Sequence, residues 1–330
     1  HVLSSAASDV YKRQDVAYAE PNYILTTTLT SSPTFSDDPK LDELWGLHNE
    51  GQTGGALDAD IDATEAWTRY TGSGEIVVGV IDTGVNYDHE DLAANIWINP
   101  GEIAGDGIDN DGNGYVDDVR GWDFVNDDND PMDDNKHGTH VAGTIGAVGN
   151  NGVGVAGVNW NVQIMPLKFL DNRGSGTTED AIEAVVYATK MRKLYEMSGG
   201  TKGANIVLTN NSWGGGAASN ALSNAIADSG DENMLFVASA GNSGGGAGYP
   251  ALYPHDNIIS VAATDHADQL ASFSSRGTGV DLAAPGVVIL STMRNKYNTL
   301  SGTSMAAPHV AGVASLVWDR LESNSYGPGY

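Results

Sequence analysis

Cysteine is absent from this chain of 330 residues, so neither disulfide bonds nor thiolate chemistry can operate in it. Basic residues are scarce, because 16 Lys and Arg stand against 43 Asp and Glu, which gives a formal net charge of -27. This charge repels nucleic acid and anionic membranes and favours cations. No apolar run approaches the length of a membrane span. The composition therefore disfavours disulfide scaffolds, nucleic-acid-binding proteins and membrane proteins.

What the sequence does contain is an alternation of two hydrophobic patterns from residue 75 onward. Short runs rich in β-branched residues alternate with segments of helical spacing, which is typical of parallel strands joined by crossover helices. The predicted strands are 75–81, 162–170, 204–209, 234–239 and 258–263; the predicted helices are 177–197, with Thr177 and Asp180 as a capping box, and 217–228. We predict one α/β domain with a doubly wound, mostly parallel central sheet and helices on both faces.

A serine stands where a strongly apolar helix should begin. Ser304 precedes the apolar residues 310–318, and Pro308 is tolerated only in the first turn of a helix, so the helix should start close to Ser304. The structural interpretation is an N-cap, which Thr303 could provide alone. A catalytic role for Ser304 requires a base, an orienting acid and an oxyanion site elsewhere in the chain.

Two further polar residues stand at the ends of predicted elements. Asp82 follows the first strand, so its carboxylate should lie at the carboxyl edge of the sheet, where open α/β proteins bind ligands. His137 begins another helix of small residues. Either residue alone is more often structural. His137 and His140 also resemble a metal pair, but the H-E-x-x-H pattern of zinc sites is missing, and we interpret His140 as a packing residue.

Two short motifs suggest functions that their surroundings argue against. Residues 152–157 match G-x-G-x-x-G, but a loop and a strand are predicted after them instead of the helix that a dinucleotide site needs. Residues 241–245 match the G-x-S-x-G hydrolase elbow, but the glycines that follow favour an irregular loop.

Residues 106–134 form an acidic segment, with eleven Asp residues and one basic residue, Arg120. Part of it matches the first half of an EF-hand-type calcium loop, with oxygen ligands at Asp109, Asp111, Asn113 and the Tyr115 carbonyl. Arg120 stands where the closing Glu is expected, so Asp117 or Asp118 would have to close the loop. The alternative is an acidic loop that binds no ion.

Three segments together resemble the signatures of the subtilisin-like serine proteases, the subtilases. They are residues 80–84 (VIDTG), 137–143 (HGTHVAG) and 302–309 (GTSMAAPH), in that family's order of Asp, His and Ser. The resemblance extends from about Asp38 to Trp318. It implies a subtilisin-like fold and serine endopeptidase activity, with Ser304 as nucleophile, His137 as general base, Asp82 as orienting acid and Asn242 as an oxyanion donor.

The resemblance also implies how protein and peptide substrates bind. The strand that would pair with an extended peptide comprises Asn211, Ser212, Trp213 and Gly214. Gly215 and Gly248 would line the primary specificity pocket and leave space for a large apolar side chain before the scissile bond. For Gly248 the alternative is a plain turn residue.

Calcium is the cofactor that the resemblance implies, at two or more sites. Residues 150–157 resemble the family's tight calcium loop, and the first site would comprise Asp38, Asp91, Asn151 and the carbonyls of Gly149, Val153 and Val155. The second would be the acidic loop described above. Both sets are all oxygen, which suits a hard cation.

The remaining expectations concern the ends of the chain and its setting. Residues 1–14 match nothing expected beside them and lack the apolar stretch of a signal peptide, so we interpret them as extraneous. Residues 15–30 resemble the end of a subtilase propeptide, and 31–330 would be the catalytic domain, with a C-terminus shorter than is common in the family. The resemblance implies a secreted monomer whose own propeptide acts as inhibitor and chaperone, with no nucleic-acid or membrane partner. The rival hypothesis is a catalytically silent, calcium-stabilised binding or adhesion module.

Overall fold

The computed structural model describes residues 33–325, so the predictions for residues 1–14 and 15–30 lie outside the described residues. Within this part of the chain there are five α-helices: α1 (Ala63–Trp67), α2 (His137–Gly146), α3 (Thr178–Ser198), α4 (Asn220–Asp231) and α5 (Thr303–Ser325). The strands are β1 (Val77–Asp82), β2 (Trp122–Asp123), β3 (Gln163–Lys168), β4 (Ile206–Asn211), β5 (Leu235–Ser239), β6 (Ile258–Thr264), β7 (Leu282–Pro285), β8 (Ile289–Met293) and β9 (Lys296–Leu300).

Seven strands form the central sheet in the order β2-β3-β1-β4-β5-β6-β7, and every neighbouring pair is parallel. Strands β8 and β9 form a separate antiparallel hairpin. The predicted α/β fold with a doubly wound parallel sheet is therefore confirmed. All five predicted strands are present, because their near-continuous apolar runs suit strands that are buried on both faces.

Two hydrophobic cores lie on opposite faces of the sheet, and β1 contributes to both. Val77 and Ile81 pack with residues of α3 and α4, whereas Val78 and Val80 pack with residues of α2 and α5. This alternation follows from the two-residue period of a strand. All four residues are at most 1% exposed, so each face of β1 is sealed by helices.

The helix predictions are correct in kind but not always in extent. The capping box of Thr177 and Asp180 is present at the start of α3. Helix α4 begins three residues later than predicted, because Ser219 supplies the N-cap by accepting a hydrogen bond from the Leu222 N–H. Helix α5 continues to Ser325, seven residues past the apolar run 310–318. Within the described residues, no helix is both long and apolar enough to cross a membrane.

The chain order reverses at β1, which lies between β3 and β4. Ligands of open α/β sheets bind outside the carboxyl ends of the strands at such a reversal. Helix α2 approaches this edge closely, since a Cβ atom at Gly138 would lie 2.0 Å from the Gly84 carbonyl oxygen. The glycine therefore lets the first turn of α2 meet the end of β1.

Candidate active site

A cleft of about 870 Å³ lies at the carboxyl edge of the sheet. The segments that follow β3, β4 and β5 line it, together with the first residues of α2 and α5. Among its lining residues are His137, Asn242 and Ser304. The structure thus brings three residues from distant parts of the sequence to one cavity.

Asp82 and His137 form a hydrogen-bonded pair at the base of this cleft. The Nδ1 atom of His137 lies 2.8 Å from Oδ1 and 3.0 Å from Oδ2 of Asp82, the last residue of β1. The carboxylate is fully buried, and its Oδ1 also accepts the Thr83 N–H at 2.7 Å. Burial alone lowers the pKa of His137, but the charge and the hydrogen bond of Asp82 outweigh it and leave that pKa raised, with Asp133 contributing. Asp82 therefore orients the imidazole through its Nδ1 atom and stabilises its protonated form.

A second buried carboxylate, Asp133, organises the entrance of α2. Its Oδ1 accepts the Thr83 hydroxyl and the N–H groups of Asn135 and Lys136, each at 2.9 Å. Its Oδ2 accepts the N–H and the hydroxyl of Thr139. Lys136 has a φ of 141°, a conformation that costs energy for a residue with a side chain, and it directly precedes His137. The sequence analysis missed Asp133, although an Asp four residues before a helix-start His was a visible signal.

Ser304 and Ser212 hold each other through two hydrogen bonds. The Ser304 hydroxyl donates to the Ser212 carbonyl at 3.0 Å, and the Ser212 hydroxyl donates to the Ser304 carbonyl at 2.8 Å.

Pro308 lies beyond the first turn of α5, because the helix begins at Thr303. This corrects the prediction that Pro308 lies within the first turn. In an α-helix, an N–H at position 308 would donate its hydrogen bond to the Ser304 carbonyl. Because proline has no N–H, this carbonyl remains free to accept the Ser212 hydroxyl.

Asn242 is anchored by its oxygen and presents its amide nitrogen. Its Oδ1 accepts the N–H of Thr303 at 2.9 Å and the Thr303 hydroxyl at 3.0 Å. Its Nδ2 makes no hydrogen bond to any residue in 33–325. Thr303 is fully buried and its hydroxyl also accepts the Gly241 N–H at 3.1 Å. The N–H of Ser304, in the first turn of α5, has no intrahelical acceptor. Both donors lie close to Gly302, since a Cβ atom there would be 3.5 Å from Asn242 Nδ2 and 3.6 Å from the Ser304 nitrogen.

The expected peptide-binding strand lies partly on the cleft. Ser212, Trp213 and Gly214 line it, and so does Gly215. Asn211 does not, because it is the last residue of β4, fully buried, and its Nδ2 bonds Thr209 inside the sheet. The cleft wall therefore begins one residue later than expected.

Gly248 also lines the cleft, and the space beside its Cα atom is open. A Cβ atom at Gly248 would meet no heavy atom within 4 Å, and the same holds for Gly215. The N–H of Gly248 is fixed by the Ala240 carbonyl at 3.1 Å. A side chain at position 248 would therefore extend into the cleft.

The residues expected to form the first calcium site are close together. The Asp38 carboxylate accepts the Asn151 N–H at 3.0 Å, and Asn151 Nδ2 donates to Asp91 Oδ1 at 3.0 Å. Asp91 is fully buried, and burial raises the pKa of its carboxyl to about 6. Within residues 33–325, no donor occupies the expected carbonyl ligands, which are those of Gly149, Val153 and Val155. Free carbonyls beside two carboxylates fit a hard cation.

The residues expected to bind calcium in the acidic loop fall into two groups. Carboxylate oxygens of Asp109 and Asp111 lie within 4.8 Å of each other and of Glu102, which the sequence analysis did not consider. Asp117 instead accepts the N–H groups of residues 105, 106 and 107. Asp118 is fully buried and accepts the Tyr187 hydroxyl at 2.5 Å.

Asn113, Tyr115 and His140 also have identifiable surroundings. The Asn113 amide turns inward and donates to Asp118 at 2.7 Å, whereas the Tyr115 ring packs edge to face on Trp122. His140 is fully buried and bonds the Ile289 carbonyl at 2.9 Å, and burial lowers its pKa to about 4. This environment agrees with the packing role expected for His140.

An α/β sheet that carries an Asp–His pair and a helix-start Ser in one cleft at its carboxyl edge defines a serine-hydrolase class of protein. A sequence profile of the subtilase family, peptidase S8, matches residues 73–328. The chain belongs to this family of serine-type endopeptidases.

Two relatives and one solved structure are informative. The chain is 37% identical over 311 residues to the thermophilic serine proteinase of Bacillus sp. (strain AK1), covering 94% of this chain and 65% of that protein. It is 39% identical over 267 residues to thermitase of Thermoactinomyces vulgaris, covering 80% and 82% respectively. A crystal structure of a cold adapted subtilisin-like serine proteinase matches with a TM-score of 0.63 and 35% identity, covering 84% of this chain and 85% of the other.

Proposed function

We propose that this chain is an active, secreted, calcium-dependent serine endopeptidase that cleaves peptide bonds through an acyl-enzyme. The observation that carries the proposal is the hydrogen-bonded pair of Asp82 and His137 in the same cleft as Ser304 and Asn242. A serine hydroxyl is a weak nucleophile at neutral pH and needs an adjacent base. His137 is the base in this cleft whose pKa is raised by a buried carboxylate.

In the proposed reaction, His137 takes the proton of the Ser304 hydroxyl as its oxygen attacks the peptide carbonyl carbon. Before attack, this hydroxyl must turn its proton from the Ser212 carbonyl toward the imidazole. The tetrahedral oxyanion then accepts hydrogen bonds from Asn242 Nδ2 and the Ser304 N–H. His137 returns the proton to the leaving amine, and water hydrolyses the acyl-enzyme with the same base. Asp82 holds the imidazole tautomer and stabilises its charged form.

The proposed substrates are protein chains in extended conformation, with broad sequence preference and a large apolar side chain before the scissile bond. Ser212, Trp213 and Gly214 follow directly from β4 and border the cleft, so a peptide can add to this edge by main-chain hydrogen bonds. The open space at Gly215 and Gly248 supports a wide pocket beside them.

The proposed calcium sites differ in one respect from the sequence expectation. The first uses Asp38, Asp91, Asn151 and the three free carbonyls. In the second, Glu102 joins Asp109 and Asp111, because carboxylate oxygens of these three residues lie within 4.8 Å of one another. Bound calcium would neutralise these carboxylates and hold their loops together. Sites of this kind suit extracellular conditions, where calcium modules bind with Kd values of about 10⁻⁴ to 10⁻³ M.

Labelling with a fluorophosphonate probe tests the proposed activity. The intact chain should be labelled covalently at Ser304, since only an activated serine reacts, and the Ser304→Ala variant should remain unlabelled. Heat-denatured protein provides the control for non-specific reaction. A folded preparation that neither reacts with the probe nor cleaves casein in millimolar calcium would instead support the silent binding module.

A further inference from the structure

The substrate cleft is nearly free of charge, although the chain carries a formal net charge of -27. Within residues 33–325, no Asp or Glu lines the cleft, and Arg173 is the one lining residue with a permanent charge. His137 is the other basic lining residue and must be neutral to act as a base. A single fixed cation therefore faces substrates in a protein whose charge is otherwise dominated by carboxylates.

Arg173 lies beside the proposed path of the peptide. Strands β3 and β4 lie on either side of β1. The segments that follow β3 and β4 contact each other, since the rings of Phe169 and Trp213 pack edge to face at 4.8 Å. The loop of Arg173 follows Phe169, whereas the peptide-pairing segment contains Trp213. Asn135 Nδ2 donates to the Asn172 carbonyl at 3.0 Å and ties this loop to the entrance of α2. In the proposed binding mode, the residues before the scissile bond pair with the Trp213 segment, so they pass the Arg173 loop.

The backbone of this loop is fixed by hydrogen bonds to Asp171, which lower the pKa of that carboxyl, and the charge of Arg173 lowers it further. The Asp171 carboxylate accepts the N–H groups of Arg173 at 2.9 Å and Ser175 at 3.0 Å, which closes the turn. The Arg173 side chain itself makes no hydrogen bond or ion pair within the described part of the chain.

Two other nearby carboxylates are already engaged. Asp134 pairs with Lys168 at 2.8 Å, and Asp180 accepts the Thr177 N–H at 3.2 Å in the capping box. With Asp171 held by the backbone of its own turn, the guanidinium remains available to a ligand.

We propose that Arg173 selects substrates that carry an acidic side chain within a few residues before the scissile bond. This inference rests on the proposed endopeptidase function. A guanidinium donates two parallel hydrogen bonds to the two oxygens of a carboxylate. A substrate glutamine offers only one acceptor oxygen, and a lysine offers none. Because Arg173 is exposed, the pair is solvent-screened, and we expect a preference of about two- to fivefold in kcat/KM over the matched neutral peptide.

The test compares fluorogenic peptides with the same apolar residue before the scissile bond and with Glu, Gln or Lys at each of the preceding positions. The wild-type protein should cleave one Glu peptide faster than its Gln counterpart. Arg173→Gln should abolish that difference, Arg173→Glu should favour the Lys peptide, and Arg173→Lys should retain part of the preference. Arg69→Gln, an exposed arginine outside the cleft, makes the same charge change and should leave the preference intact. The difference between wild type and Arg173→Gln should shrink as salt is added.

Binding of the same peptides to the Ser304→Ala variant, measured by fluorescence anisotropy, gives a readout that is independent of catalysis. Equal rates and equal binding for Glu and Gln peptides at every position would overturn the role of Arg173 and leave the endopeptidase function standing. An equal loss for all peptides in Arg173→Gln would also overturn it, because that result shows a structural role for the loop. Acidic preference in binding without any cleavage would instead overturn the proposed activity and support the silent module.

Discussion

The side-chain oxygen of Asn242 accepts both the N–H and the hydroxyl of Thr303, at 2.9 and 3.0 Å. One residue thereby caps the start of α5 with its oxygen and leaves its amide nitrogen without a partner among the described residues. The orientation of the proposed oxyanion donor is therefore a consequence of helix capping.

This double role predicts that two substitutions of Asn242 will differ. Asn242→Ala removes the donor and the cap, so kcat should fall by about 10²–10³ and stability by about 1 kcal/mol. Asn242→Asp keeps an oxygen for Thr303 and places a negative charge at a helix N-terminus, so its melting temperature should stay close to wild type while kcat falls at least as far as in the Ala variant. Steady-state kinetics and calorimetry on both variants provide the check. Near-normal turnover in Asn242→Asp would show that the donor is another group.

The contact network of Asp133 predicts a change in pH dependence. Its negative charge contributes to the raised pKa of His137, so Asp133→Asn should lower that pKa. Because only the neutral imidazole can act as a base, kcat/KM falls below this pKa, and the acid limb of the profile should move to lower pH in the variant.

The matched control for Asp133→Asn is Asp130→Asn, which makes the same charge change at an exposed position. It should shift the acid limb less. The kcat of the Asp133 variant at high pH should also fall, since at least two donors lose their acceptor when either carboxylate oxygen is replaced by an NH2 group. An acid limb that moves upward, or equally in both variants, would contradict the electrostatic role.

The open space at Gly248 predicts a change in specificity. Gly248→Val should lower kcat/KM by about tenfold or more for peptides with Phe before the scissile bond, and much less for peptides with Ala there. Gly248→Ala should be intermediate. If Gly248 is only a turn residue, all peptides should be affected alike, and the variant should lose stability instead. Paired peptide kinetics with a thermal melt separate these outcomes.

Calcium removal should destabilise the protein. An ion that binds only the native state at a hundredfold excess over its Kd adds about 2.7 kcal/mol of stability. EDTA should therefore lower the melting temperature and raise autolysis. Asp91→Asn should remove one equivalent of bound calcium and Glu102→Gln another, whereas Asp42→Asn, at an exposed position of the same charge, should remove none. Identical calorimetric transitions in EDTA and in millimolar calcium would contradict the proposal.

The fold class was accessible from the sequence because its signal is local. Apolar runs such as 75–81 predict buried parallel strands wherever they occur, and the capping box of Thr177 and Asp180 marks a helix start within four residues. Helix ends were less accessible. Several small polar residues could cap α4, and the start of the helix depends on which one does. In the structure the cap is Ser219.

The sequence by itself also indicated Asp82, His137, Ser304 and Asn242, because each stands at the end of an element in a recognisable segment. Only the tertiary structure showed which hydrogen bonds position these four residues. Asp133 reaches Thr83 across fifty positions of sequence, the Ser304 carbonyl accepts the Ser212 hydroxyl across ninety-two, and Glu102 joins the acidic loop from outside its motif. Arg173 likewise became notable only once the cleft around it proved free of carboxylates. Local patterns fix which residues begin and end each element, whereas long-range hydrogen bonds and the charge of a cavity depend on packing that no single segment encodes.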